Sequence, residues 1–269
     1  MLFIKNKRLR QLAAVLETGN WLLVKLWLRK RSAARVFPNR IFRDYVYLAG
    51  GARWLAKDFW DVFPHVRNLR ISLECLPPSG IGTPLEDLLY LALITKALAP
   101  QRIFEIGTFR GRSTLNFALN SVDDCVIYTL DLPPEGRAAV VRSPELTPAD
   151  KKVIGESLTG IDYRGSDVEP KIVQLYGDSR VFDFSPFYGR MDLVFVDALK
   201  HYAAVRHDTE EALRMVRAGG AIVWHAFANY GDYHDVTRAV LDCLPGSEIV
   251  QIANTDLALY FKRANGAGL

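Results

Sequence analysis

From Arg102 onward the chain alternates two kinds of apolar pattern. Short, nearly continuous apolar runs read as buried strands, and stretches with apolar residues three and four apart read as helices. The strand-length runs are Arg102–Ile106, Val126–Leu132, Lys171–Tyr176, Asp192–Val196 and Ala221–Trp224; the helical stretches are Arg112–Asn120, Tyr202–Val216 and Val236–Leu244. This alternation predicts an α/β domain, a parallel sheet with helices on both faces. The last two runs, Glu248–Ile252 and Leu257–Lys262, are separated only by Ala253–Asp256. A link that short implies an antiparallel pair at the C-terminal edge. Upstream, Thr83-Pro84 opens a helix with Thr83 as its cap, Pro84 at the first position and Glu86 at the third. That helix is expected to reach Leu98 and stop near Pro100.

The breaker cluster Pro77–Gly82 marks a junction. It divides the chain into a helical, aromatic and basic segment (residues 1–79) and a main domain (80–265). Residues 133–170 form a polar insertion between the second and third strands, and a loop of that length is usually functional or mobile. No internal repeat is visible.

Composition narrows the class. At 269 residues, 49% apolar and 24% charged, the chain is ordinary globular material, neither disordered nor a disulfide scaffold. Its longest clear apolar run, Leu88–Ile94, is far short of the ~20 residues a membrane span needs. Cys75, Cys125 and Cys243 are far apart and odd in number, which fits a reducing, cytoplasmic setting and offers no zinc spacing. Charge is uneven: residues 1–48 hold eleven Lys or Arg against Glu17 and Asp44, while the whole chain nets only +4. Within that stretch, residues 20–30 could form an amphipathic helix with a basic end. The favoured reading packs Trp21, Leu22, Trp27 and Leu28 on the main domain. The alternative is peripheral contact of residues 1–48 with anionic lipid at the inner membrane face. No clean signal peptide precedes it.

The sharpest local signal is Phe104-Glu105-Ile106-Gly107-Thr108-Phe109-Arg110-Gly111-Arg112-Ser113-Thr114, where a strand turns into a helix. Ligands in open α/β sheets bind at the carboxyl ends of the strands. Gly107 allows a tight turn, and Gly111 is expected to let a ligand approach the helix start. The spacing is neither the dinucleotide fingerprint nor a P-loop, which argues against a nicotinamide-dependent oxidoreductase. Asp131 ends the second strand, where a carboxylate can accept both hydroxyls of a ribose. Gly177-Asp178-Ser179 ends the third, where Asp178 can accept from an adenine amino group. Each alone could be a helix cap; three in order are harder to attribute to chance.

With these residues the chain resembles the class I S-adenosylmethionine-dependent methyltransferases over about residues 80–262. Within them it is most similar to the small-molecule O-methyltransferases, including the cephalosporin-hydroxylase-like and rhamnosyl O-methyltransferase branch. Phe104–Asn116, Leu175–Ser179 and Gly219–His225 carry the likeness. The resemblance implies a Rossmann-like sheet whose last strand is inserted antiparallel beside the penultimate one. It implies S-adenosylmethionine held by Thr83, Glu105, Gly107, Thr108, Gly111, Ser113, Asp131, Gly177, Asp178 and Ser179. The acceptor would be a hydroxyl of a small molecule, sugar or glycolipid. Nucleic acid is not expected as a substrate, since no base-flipping motif is present; a homo-oligomer is compatible with the family.

Methyl transfer needs an acceptor held in line and its proton removed. Asp197-Ala198-Leu199-Lys200 matches the Asp-x-x-Lys spacing of catechol-type enzymes, which implies Asp197 as a metal ligand and Lys200 as proton acceptor. After the fifth strand, however, this chain has His225-Ala226 where those enzymes carry Asp-Asn and the other branch His-Asp. A Mg²⁺ site resting on Asp197 and His225 would have two firm ligands, which is poor. The reading without a metal is preferred, with Lys200, His225 or His201 as base, either histidine titrating near neutrality. The structural alternatives are a solvated Lys200, His201 as a helix cap or partner of Asp208, His225 as a hydrogen-bonded core histidine, and Asn229–His234 as a plain loop. A rival function follows from Ala226: a chain that binds cofactor but no longer catalyses, serving as a scaffold.

Overall fold

The computed structural model describes residues 55–263 apart from 67, 77–81, 143–145, 147, 157, 229–232 and 245–248. The amphipathic stretch at 20–30 and the basic residues 1–48 therefore lie outside the described residues, as do residues 229–232.

Eight strands form one sheet. They are β1 (Leu55–Lys57), β2 (Arg102–Ile106), β3 (Val126–Asp131), β4 (Ile172–Tyr176), β5 (Met191–Val196), β6 (Val216–Trp224), β7 (Val250–Ile252) and β8 (Ala258–Phe261). Their spatial order is β1-β7-β8-β6-β5-β2-β3-β4. All pairings are parallel except those of β8, which lies antiparallel between β6 and β7. This is the Rossmann-like methyltransferase sheet with the inserted last strand that the sequence implied.

The central strands are buried on both faces, which is why they read as unbroken apolar runs. Alternation still decides which core each side chain joins. Phe104, Ile106, Val194, Val196, Ile222 and Trp224 point to one face, packed with Val205, Ala212 and Met215 of α6 (Tyr202–Met215) and Val236 and Val240 of α7 (His234–Cys243). Ile103, Leu193, Phe195 and Val223 point to the other, against Leu91 and Ile94 of α2 (Leu85–Leu98) and Phe117 of α3 (Arg112–Asn120). Short helices α1 (Phe59–Val62), α4 (Arg137–Val140) and α5 (Pro148–Gly155) complete the described helices.

Four expectations shift. The segment before Pro77 contributes a strand: β1 pairs in parallel with β7, and three residues are too few to show a period. The helix that begins at Leu85 is capped by Pro84 with no side-chain hydrogen bond, so Thr83 is not its cap. Helix α2 does end at Leu98, where Ala99 adopts a left-handed conformation at φ +43°. Strand β6 begins at Val216, before the expected Ala221, because Gly219 (φ +78°) and a register shift at Met191/Leu193 let the polar start pair. Residues 133–170 are not a bare loop, since they carry α4, α5 and the turns that follow.

Candidate active site

The loops after β2 to β6 open onto a cavity of about 450 Å³, within the range of small-ligand sites. Its first end is built from turns. Gly107 follows β2 at φ +105°, and a side chain there would begin 2.6 Å from the Asp197 carbonyl oxygen. Only glycine lets the β2 turn lie so close to the end of β5.

Below this turn lies a buried polar chain. Gln174 Nε2 donates to Thr108 Oγ1 (3.1 Å), Thr108 and Thr129 hydroxyls meet at 2.7 Å, and Thr129 donates to Glu105 (2.6 Å). Ser113 and Thr114 also donate to the Glu105 carboxylate. Glu105 is fully buried, and burial outweighs these three hydroxyls, pushing its pKa up to about 7. It does not line the cavity; it ties the strand, the helix start and β3 together beneath the turn.

Gly111 does not line the cavity either. It caps α3 at φ +83°, and a side chain there would begin 2.4 Å from the Tyr163 ring. The space it leaves is filled by Tyr163 rather than kept for a ligand. The insertion is fastened to this loop: the Gly160 and Asp162 amides donate to the Phe109 and Arg110 carbonyls at 3.1 and 2.9 Å, and Arg110 pairs with Asp162 at 2.8 Å.

Asp131 ends β3 facing the cavity. One carboxylate oxygen accepts the Phe109 amide and the other the Leu132 amide, both at 2.7 Å. Burial holds its pKa above the ordinary value against those bonds. The Thr159 hydroxyl also donates to the oxygen that takes the Phe109 amide, at 3.5 Å, which leaves the oxygen bonded to Leu132 with a further lone pair for a hydroxyl. Gly177, Asp178 and Ser179 follow β4 on the same wall. Arg180 chelates Asp178 at 2.6–3.2 Å and lowers its pKa. Thr83, Thr108 and Ser113 also line the cavity.

The second end is a cluster of charges. Asp197, after β5, accepts from Lys200 and lies 2.8 Å from His225 Nδ1. The other ring nitrogen, Nε2, lies 3.1 Å from Asp87 Oδ2, and Asp87 Oδ1 accepts the Asp256 amide at 3.3 Å. Asp197, Lys200 and His225 line the cavity; Asp87 stands behind the histidine, 2% exposed. Burial opposes the charge on His225, but Asp197 and Asp87 outweigh it and raise its pKa to about 10. Burial likewise opposes the Asp197 carboxylate, and His225 and Lys200 overcome it, lowering the pKa to about 2. His225 therefore does not titrate near neutrality as the sequence suggested: at neutral pH it is a cation with no lone pair to act as base. His201 does not line the cavity; its Nδ1 accepts the Ala204 amide at 3.4 Å and caps α6.

Asp197 and His225 do not fit a divalent ion. The two nitrogens of one ring face carboxylates on opposite sides, so one ion could reach only one of them, and the Lys200 ammonium already sits on the Asp197 oxygen that faces His225. Among the described residues no group of three or more His, Cys, Asp or Glu is placed to hold a metal.

Sequence reasoning missed Asp87, Asp162, Tyr163 and Thr159. Asp87 carried one readable signal: with Leu91 and Ile94 it shares the buried face of α2, and an acid on an apolar face needs a partner.

A mostly parallel sheet with an inserted antiparallel last strand, and a cavity at its carboxyl edge, is the fold that the resemblance to class I methyltransferases implied. Residues 104–227 match the family model described as a methyltransferase domain. A caffeoyl-CoA O-methyltransferase of Stellaria longipes is 29% identical over 171 residues, covering 61% of this chain and 63% of that protein. One of Populus kitakamiensis is 24% identical over 153 residues, covering 57% and 58%. The match thus spans about three-fifths of these curated relatives. Among solved structures, the O-methyltransferase TomG of Streptomyces achromogenes, in complex with SAM, is 18% identical with a TM-score of 0.46, covering 78% of this chain and 97% of that one.

Proposed function

We propose that this chain is an S-adenosylmethionine-dependent O-methyltransferase acting on a hydroxyl of a small molecule. The observation that carries this reading is a single cavity joining Gly107, Asp131 and Asp178 at one end to Asp197, Lys200 and His225 at the other. The acceptor classes proposed are a sugar, a glycolipid or another small molecule, with caffeoyl-CoA, named for the relatives, as a compound to try.

Gly107 and Thr108 would lie along the cofactor, Asp131 would take its ribose hydroxyls, and Asp178 and Ser179 its adenine. When bound, the cofactor supplies an activated methyl group for an oxygen nucleophile. The chain's own task is then positioning and charge. An acceptor hydroxyl placed against Lys200 and His225 meets two cations, which favour its ionised form. Lys200, whose ammonium also sits on Asp197, is the cation placed to hold the acceptor oxygen as its proton leaves to solvent. Replacing Lys200 by Met should lower kcat by ~10²-fold or more. An unchanged kcat would exclude Lys200 from this role.

Ala226 favours a second reading, a cofactor-binding scaffold without catalysis. It sits in the left-handed region at φ +61°, a conformation that suits Asn or Asp better, and alanine has no polar side chain to offer an acceptor. Methylated product in an acceptor screen with phenolic, sugar and glycolipid hydroxyls would exclude it.

A further inference from the structure

We infer that Asp87 is a positioning residue: with Asp197 it clamps the His225 ring from both nitrogens and fixes an organic cation at the chemical end of the cavity. This rests on reading that end as the place where the acceptor binds. The geometry is decisive. A neutral imidazole carries one N–H and one lone pair. Here Nδ1 faces an Asp197 oxygen at 2.8 Å and Nε2 an Asp87 oxygen at 3.1 Å. A neutral ring would set a nitrogen lone pair against a carboxylate lone pair on one side; a doubly protonated ring donates on both.

The supporting groups come from separate elements. Asp87 belongs to the first turn of α2, Asp197 and Lys200 to the loop after β5, and the Asp256 amide, just before β8, holds the second Asp87 oxygen at 3.3 Å. These groups face His225 with two negative charges and one positive. The ring itself lies on the cavity wall while Asp87 does not, so Asp87 acts through the histidine. In this chain the imidazolium, with Lys200, supplies positive charge in that neighbourhood, and it cannot dissociate as a metal can. Asp87 thereby gains a role in the reaction although it does not line the cavity.

The test is ¹⁵N spectroscopy of the histidine side chains in the full-length protein, with His225 assigned by a His225→Gln variant. The expected result is both His225 nitrogens protonated from neutral pH to about pH 9. Asp87→Asn keeps an acceptor beside Nε2 but removes its charge, and should bring deprotonation down by at least ~1 pH unit. A neutral His225 ring at neutral pH in the unsubstituted protein overturns the inference, and so does an unchanged titration in Asp87→Asn. Should that variant fail to fold, the unsubstituted protein alone decides. Equimolar Mn²⁺ is expected to leave the His225 signals sharp; selective broadening would mean a metal ligand and overturn the clamp. None of these readings needs turnover, so they stand apart from failure of the methyltransferase proposal. Once an acceptor is found, Asp87→Asn should lower kcat by ~10-fold or more with the cofactor KM little changed, and Asp87→Glu should restore part of it.

Discussion

The two ends of the cavity are made by different means. At the cofactor end, backbone turns set the shape, and Gly107, Asp131 and Asp178 each contribute locally. At the chemical end, Asp87, Asp197, Lys200 and His225 hold one another, and no member keeps its position or charge alone. The first is a scaffold that tolerates single losses gradually; the second is a charge network in which one loss strands the rest.

Breaking the network should have the largest effect. Asp197→Ala leaves two mostly buried cations without their shared carboxylate, and should lower unfolding free energy by about 3–5 kcal/mol in denaturant titrations. Loss below about 1 kcal/mol would mean the cluster is not a network. At the cofactor end, Gly107→Ala forces a side chain into φ +105° and onto the Asp197 carbonyl. It should cost about 1–3 kcal/mol in the same assay and weaken S-adenosylhomocysteine binding. Asp131→Ala should act on affinity more than on folding, by about 1.5–3 kcal/mol or roughly 10- to 100-fold, as calorimetry would show. The smallest effect belongs to Arg180→Ala, whose partner pair is partly exposed; within about 1 kcal/mol of stability is expected.

Acidity sharpens the same contrast. The folded pKa of His225, about 10, stands above its ordinary 6.5. Its contribution to stability is fully present below about pH 6.5 and is lost as pH rises through about 10. Asp197 lies the other way, at about 2 against 3.8; its contribution is present above 3.8 and lost as pH falls through 2. Glu105 opposes folding once ionised, since its pKa is about 7 against 4.5, so its share of stability declines between those values. Thermal unfolding across pH should show a decline above pH 6.5 that His225→Gln flattens. A slope identical in the variant would contradict the placement of that charge.

What could be read from the sequence follows the same division. Strand β2 and helix α3 have the bounds the pattern gave, and β3, β4 and β5 differ by a single residue at one end, because buried runs between turn residues are local signals. Gly107, Asp131 and Asp178 sit at strand ends, so order along the chain already placed them on one edge. The chemical end was half legible. Asp197, Lys200 and His225 could be named, but the charge state of His225 depends on Asp87, 138 residues away in sequence. No local pattern reports a contact of that span. Gly111 misled for a related reason: a glycine at the helix start was readable, but Tyr163, which fills the space it leaves, comes from the insertion. Strand β1 was too short to show any period.

The most direct test of the central claim is calorimetric titration of the folded full-length protein with S-adenosylhomocysteine, alongside Asp131→Ala. The account predicts micromolar binding of one molecule per chain, unchanged by chelator and weakened at least tenfold in the variant. No heat of binding in a folded sample, or equal affinity in the two proteins, would contradict it.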